Sequence, residues 1–463
     1  MRDKREAVAA RMAARPLAEL TVAPSDRDFT GALRRAAEQG RTAFILECKQ
    51  ASPSQGVLRP SFDPTAIATR YAPFADAISV LCDTPYFGGD LAHLALVRDA
   101  APQPVLCKDF VVDPYQVDEA RAHGADAILL MASVLDQPTL ARCHARCRAL
   151  GMGALVEVHD ADELDRAIAL GAEVIGINNR NLADLSIDLT TTERLAASVP
   201  RTTLTISESG IRDHHDIVRL RDRVQGFLIG SALMREPDLD AAIRRVIFGP
   251  TKICGLTAAT HAAAAHAAGA THGGLVLWPR SPRAVTLDDA PRLVAAAPLA
   301  WVGVFVDEPA ERIAAIARDL DLSAVQLHGD QPDAFLAALR AAGLPDGCAI
   351  WRAHRVADTD ALPARFAELQ GPADRLLLDA YDAALPGGTG RAFDWQTLAA
   401  HPDRGTIWLS GGIRPENVVR ADALGCHGLD LSSGVERRPG DKDLDRLEAL
   451  FALRRSGESK EAT

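Results

Sequence analysis

Eight times on either side of residues 246–256, a short apolar run of strand type is followed by an amphipathic run of helical type. Val246-Ile247-Phe248 ends one helical run, Gly249-Pro250 stops it, and Lys252-Ile253-Cys254-Gly255 opens a new apolar strand. Eight such alternations in each half predict an α/β chain of two tandem (β/α)8 barrels of TIM type, residues 1–249 and 250–463, with almost no linker. Doubly wound sheets also alternate strands with helices. Neither half, however, carries the Gly-x-Gly-x-x-Gly turn after its first strand that dinucleotide folds use.

The spacing places strands of the first barrel near 44–48, 77–82, 104–107, 126–131, 153–158, 174–178, 203–208 and 226–230. Those of the second fall near 251–254, 273–277, 301–306, 323–327, 347–352, 374–378, 406–410 and 427–431. Residues 1–43 form an N-terminal helical extension, expected to act partly as a cover for the barrel bottom and partly as a flap at its mouth. Residues 454–463 are polar and expected to fray. Ser209-Gly210 and Gly230-Ser231 follow the last two strands of the first half, and Gly411-Gly412 and Ser432-Ser433 those of the second. Gly210 to Ser231 and Gly412 to Ser433 are both 21 residues apart, the length of one helix, one strand and their loops. The loops after strands 7 and 8 are the usual phosphate seat of a TIM barrel, so each half is expected to hold a phosphate.

Charge excludes some partners. A formal net charge of −11 argues against a general nucleic-acid surface, so anionic substrates must be met by local cations. No membrane segment or charged leader with an apolar core is visible, and the eight cysteines are scattered, which together predict a cytoplasmic protein. Cys143, His144 and Cys147 resemble metal-ligand spacing but lie in a helical run without a partner cluster, so no metal is expected.

Barrel chemistry sits at the C-terminal strand ends. In the first half these carry Glu47 and Lys49 on one strand face, then Asp83, Lys108, Glu157, Asn178 and Glu208. So many inward charges would be a costly way to fill a core, and together they allow acid–base work on an anionic phosphorylated molecule. The stretches Phe44-Ile45-Leu46-Glu47-Cys48-Lys49-Gln50-Ala51-Ser52-Pro53-Ser54, Val105-Leu106-Cys107-Lys108-Asp109-Phe110, Gly176-Ile177-Asn178-Asn179-Arg180-Asn181 and Ser207-Glu208-Ser209-Gly210-Ile211 resemble indole-3-glycerol-phosphate synthases. That family has more residues before its first helix, so Met1 is expected to enter the helix partway. The resemblance implies closure of a carboxyphenylamino-deoxyribulose phosphate with loss of CO2 and water. It implies Lys108 as general acid, Glu157 as base of the dehydration and Lys49 as holder of the substrate carboxylate. Glu47, Asn178 and Glu208 would orient them, Ser52, Ser209, Gly210, Gly230 and Ser231 would cradle phosphate, and Arg180 would guard the pocket.

Strand ends of the second half carry Cys254, Arg283, Asp307, His328, Arg352 and Asp379, the last followed by Gly387-Gly388-Thr389-Gly390. A cysteine near a strand end is more often a small apolar residue than a base; facing an aspartate across a pocket with a phosphate seat, it suits proton transfer between neighbouring carbons. Lys252 shares its strand face two residues away, and modest help to a Cys254 thiolate is expected from it. Lys252-Ile253-Cys254-Gly255-Leu256-Thr257, Val325-Gln326-Leu327-His328-Gly329, Leu378-Asp379 with the glycine loop and Phe393-Asp394-Trp395, and Ser410-Gly411-Gly412 resemble phosphoribosylanthranilate isomerases. The implied reaction is an Amadori rearrangement with Asp379 as acid and Cys254 as base, Arg283 and His328 contacting substrate, and Gly411, Gly412, Ser432 and Ser433 holding phosphate.

The two implied reactions are consecutive, which predicts a bifunctional tryptophan-biosynthesis enzyme acting on phosphorylated small molecules without metal or organic cofactor; a monomer is expected, because the fused partner barrel already occupies surface. Two rivals stand beside it. Other phosphosugar barrels generally use paired aspartates at strand ends, and one barrel could be an inactive binding or scaffolding module.

Overall fold

The structure is a computed structural model that describes residues 1–356, 362–380 and 394–457. The chain forms two compact units, Met1–Val246 and Ile247–Thr463; helix Leu239–Phe248 straddles the division, just before the Gly249-Pro250 break.

The first unit is a closed parallel barrel of Ala43–Cys48, Ala77–Leu81, Val105–Lys108, Ala127–Met131, Gly153–Val158, Val174–Asn178, Leu204–Glu208 and Gly226–Ile229, here β1 to β8, each paired with the next and β8 with β1. Alternate residues point inward. The lower layers hold Ile45, Ala77, Leu106, Leu129, Leu155 and Ile206. The registers Leu81↔Lys108, Met131↔Glu157 and Asn178↔Glu208 lift the polar residues together to the C-terminal rim.

The N-terminal extension divides between the two tasks expected of it. Helix Phe29–Glu38, capped by Asp28 accepting from the Gly31 amide at 2.8 Å, buries Phe29, Leu33 and Ala36 at helical spacing beneath the barrel core. Helix Arg2–Ala14 buries only Val8, which packs with Leu20 and Tyr115. Its Lys4 instead reaches the rim, donating to Asp83 at 3.1 Å and to Asp109, the residue after Lys108. Asp83 also caps Thr84–Phe87 through the Tyr86 amide at 3.1 Å, so it fastens the flap and does not join the charged ring.

The second unit is a closed parallel barrel of Thr251–Cys254, His272–Val276, Ala300–Phe305, Ala324–Leu327, Ala349–Val356, Arg375–Ala380, Ile407–Leu409 and Gly428–Leu431, here β9 to β16. Large rings fill its interior: Trp351 and Trp408 lie with centroids 4.6 Å apart, and His272 meets Trp408 edge-on at 5.0 Å. Four expectations are corrected here. β13 runs to Val356, beyond the expected end at 352, because its polar residues Arg352, His354 and Arg355 hid the strand. Arg352 points outward and binds Asp333 on helix Asp333–Ala341 at 2.6 Å, and Asp307 is exposed beyond β11; neither belongs to the site. Arg454, expected to fray, is buried in helix Leu444–Ser456 with its guanidinium forked on Asp422 at 2.6 and 3.0 Å. The glycine loop 387–390, residues 381–386 and Phe393 lie outside the described residues.

Two candidate active sites

At the mouth of the first barrel β3, β5 and β7 bring one ammonium between two carboxylates: Lys108 Nζ lies 3.4 Å from Glu157 Oε2 and 3.4 Å from Glu208 Oε2. Glu47 and Lys49, two residues apart at the end of β1, form a second pair at 2.7 Å. Gly230 belongs to this geometry, because a Cβ there would sit 2.2 Å from Glu47 Oε1. Burial works against the Lys108 charge, yet Glu157, Glu208 and Glu47 outweigh it and hold its pKa above the ordinary lysine value. Burial also pushes Glu157 up, but Lys108, His159 and the Asn178 side chain pull it below the usual carboxylate range. Glu208 is pushed up to about 8 by burial, with Glu157 and Glu47 adding to the shift against Lys108. The ring therefore sets its two central carboxyls apart: Glu157 is held toward its ionised form and Glu208 toward its protonated form, beside a firmly charged lysine.

The phosphate-type loops follow directly. Ser209 takes φ +63, unusual for a residue with a Cβ, and Gly210 takes φ +86. Asn179, buried after β6, holds this turn by donating from Nδ2 to the carbonyls of Glu208 and Ser209 at 3.0 Å each. Its Oδ1 accepts from the amide and hydroxyl of Thr192 at 3.1 and 2.8 Å. No site role was expected for Asn179, and its pairing with Asn178 at an apolar strand end was the available signal. Ser52, whose Oγ is buried without a partner among the described residues, stands in the hairpin after β1. Arg180 spans from the loop after β6 to Ser54 at 3.4 Å, across the rim. Gly230 and Ser231 follow β8, where Ser231 opens a helical turn.

In the second barrel Cys254, Arg283, His328 and Asp379 line one cavity with Gln326 and Asp430. A hydrogen-bonded chain crosses its floor. Lys252 Nζ donates to Asp430 at 3.0 Å and to Gln326 Oε1 at 2.9 Å; Gln326 Nε2 meets His328 Nδ1 at 3.0 Å; His328 Nε2 lies 3.4 Å from Asp379 Oδ2. Ammonium is only a donor, so the Gln326 oxygen faces it and the amide NH2 faces Nδ1. The imidazole proton then sits on Nε2, the ring nitrogen nearer Asp379, though the two do not complete a hydrogen bond. Asp430, an acid inside the apolar run Gly428–Leu431, is the sequence signal for this chain and has no place among the residues expected at the site.

Burial raises the Cys254 pKa, opposed chiefly by Lys252, whose four methylenes carry its ammonium up the strand to the thiol. Its help is thus closer than the Cα spacing suggested. A thiol so raised holds little thiolate at neutral pH. Alkylation of Cys254 by iodoacetamide, read as loss of isomerase activity, is expected to accelerate with a midpoint above the ordinary thiol value of about 8.5. A midpoint near neutrality contradicts this.

Arg283 forks onto Glu436, with Nε at 3.0 and 3.1 Å from its oxygens and Nη2 at 2.8 Å. Lys442, fully buried, ties three parts together, donating to the Cys254 carbonyl at 2.6 Å, to Glu436 at 2.7 Å and to the Ser432 carbonyl at 3.3 Å. Gly411 and Gly412 take φ +88 and +67, and a Cβ on Gly411 would stand 2.8 Å from the Ala380 amide beside Asp379. Ser432 and Ser433 follow β16, with Ser432 Oγ donating to the Cys254 carbonyl at 3.3 Å. Among the described residues no helix is long and apolar enough to cross a membrane.

Comparison with known proteins assigns the halves. The family model described as indole-3-glycerol phosphate synthase matches residues 1–246, and that described as N-(5'-phosphoribosyl)anthranilate isomerase matches residues 251–452. The chain is similar to the tryptophan biosynthesis protein TrpCF of Vibrio cholerae serotype O1, 47% identical over 97% of this chain and 93% of the relative. It is 48% identical to the protein of that name from Yersinia pestis, over 98% of this chain and 93% of the relative. The protein of that name from Salmonella typhi is 47% identical, over 98% of each chain. Both halves thus match enzymes, which favours two activities over one active barrel with an inactive partner. The chain belongs to the bifunctional tryptophan-biosynthesis family, with an indole-3-glycerol phosphate synthase in its first half and a phosphoribosylanthranilate isomerase in its second.

Proposed function

We propose that the second barrel opens the ribose ring of phosphoribosyl anthranilate and that the first closes the resulting carboxyphenylamino-deoxyribulose phosphate to indole-3-glycerol phosphate. The observation that carries this reading is the pairing of one acid with one base in each mouth: Lys108 with Glu157, and Asp379 with Cys254. In the isomerase Asp379, oriented by His328, protonates the furanose oxygen. Cys254 takes the C2′ proton, Arg283 meets the anthranilate carboxylate, and Gly411, Gly412, Ser432 and Ser433 bind phosphate.

In the synthase Lys49 holds the substrate carboxylate and Lys108 polarises and protonates the ketone oxygen as the ring closes and CO2 departs, which leaves a hydroxyl, and Lys108 recovers a proton from water. Lys108 then protonates the leaving hydroxyl while Glu157 removes the carbon-bound proton. Glu47, Asn178 and Glu208 fix these groups, Arg180 closes the rim, and phosphate rests on Ser52, Ser209, Gly210, Gly230 and Ser231. The purified chain must convert phosphoribosyl anthranilate through to indole-3-glycerol phosphate; accumulation of the intermediate, or failure to consume the first substrate, overturns the assignment.

Glu436 acts on the isomerase through Arg283. Glu436→Gln keeps the shape but loses the charged fork, and is expected to raise the isomerase KM about tenfold with a smaller change in kcat. Steady-state assays check it, and an unchanged KM contradicts the role.

A further inference from the structure

One titratable group at the first site has no part in the chemistry above. His159 follows β5 two residues after Glu157, and its Nε2 lies 3.5 Å from Glu157 Oε1. Both atoms are buried and have no hydrogen-bond partner among the described residues. The other ring nitrogen is committed: Nδ1 lies 3.0 Å from Glu163 Oε2. Glu163 is itself locked. Asp160 caps helix Ala161–Leu170 by accepting from the Glu163 amide at 2.9 Å, and Glu163 Oε2 reaches back to the His159 amide at 2.8 Å. This reciprocal cap fixes the carboxylate, and the carboxylate fixes the ring. An ionised carboxylate only accepts, so Nδ1 carries the proton and the neutral ring turns a lone pair on Nε2 toward Glu157.

We propose that His159, held by Glu163, is the proton relay that resets Glu157 in the synthase. The inference rests on the reading of Glu157 as the base of the dehydration. In that step the carbon–hydrogen bond breaks, its proton passes to Glu157, and its electron pair forms the ring double bond as hydroxyl leaves with a proton from Lys108. The Glu157 O–H bond then breaks as Nε2–H forms, and the imidazolium faces the Glu163 carboxylate. His159 and Glu163, each 14% exposed at the side chain, release the proton to water, and Lys108 regains one from water. The titratable groups around the ring are Glu157, Glu163 on the following helix and Glu208 on β7, with Lys108 on β3 beside Glu157. Burial alone would lower the imidazole pKa; Glu163, Glu157 and Glu208 outweigh it and raise it above the ordinary value. His159 touches no substrate atom here and is a positioning and relay residue.

The imidazole accepts a proton only while neutral, so the wild-type synthase kcat should fall on the acid side with the histidine pKa, above that of Glu157. His159→Gln keeps a hydrogen bond to Glu163 but accepts no proton. It should lower kcat for ring closure about tenfold, leave the isomerase unchanged and move the acid limb to lower pH. Added imidazole should restore His159→Ala in proportion to its neutral form. A His159→Gln enzyme with wild-type kcat and limb overturns the relay, as does a loss in which the limb stays and imidazole gives no rescue. Glu157→Gln separates the two readings: a fully active variant removes Glu157 as the base, whereas an inactive one beside an unaffected His159→Gln removes the relay alone.

Discussion

Lys108→Ala is expected to lower kcat/KM for ring closure by about 10³-fold while leaving the isomerase within about twofold of wild type. The loss exceeds that of one acid, because the ammonium also holds its neighbours in their working states. Glu157 is buried, and burial favours its neutral form; Lys108 is the largest influence keeping it ionised. Without the lysine the base fills with a proton, and acid and base are lost together. Lys108→Arg is not a rescue, since a longer planar cation cannot occupy the same point between Glu157 and Glu208. Steady-state assay with the deoxyribulose phosphate checks this. If Lys108→Ala keeps ring closure and Lys49→Ala loses it, the roles of the two lysines are reversed.

Cys254→Ala is expected to lower isomerase kcat/KM by about 10³-fold, with ring closure of supplied intermediate unchanged. The backbone here is held without the sulfur: Lys442 and Ser432 grip the Cys254 carbonyl, which alanine retains. The loss therefore reports the proton transfer. Cys254→Ser should fare little better, because a hydroxyl ionises far less readily than a thiol in the same buried place. A Cys254→Ala enzyme with near-wild-type isomerase assigns the base elsewhere, and Asp430, on the same cavity, is the next group to replace.

Much of this arrangement was legible because a barrel strand imposes a period of two on a chain whose inward ends are charged. Lys108, Glu157 and Glu208 interrupt apolar strands at their last inward positions, and the closed register then brings them within 3.4 Å of one another. What the sequence hid was direction and reach. Arg352 and Asp83 read in sequence as strand-end residues like those of the site, yet one lies mid-strand and faces outward to Asp333 and the other anchors Lys4. Lys252 stands two residues from Cys254 along the strand, yet its flexible side chain delivers its charge to the thiol. The Arg283 fork depends on Glu436, 153 residues away in sequence, and no local pattern announces such a pair. Asn179 and His159 act on neighbours through hydrogen bonds, and composition alone does not separate such residues from ordinary surface polar ones.

The most direct test of two separate complete sites mixes Lys108→Ala with Cys254→Ala and supplies phosphoribosyl anthranilate. Neither variant alone should form indole-3-glycerol phosphate; together they should, with the first releasing the deoxyribulose phosphate that the second closes. Indole-3-glycerol phosphate from either variant alone, or a silent mixture, contradicts the division of chemistry between the two barrels.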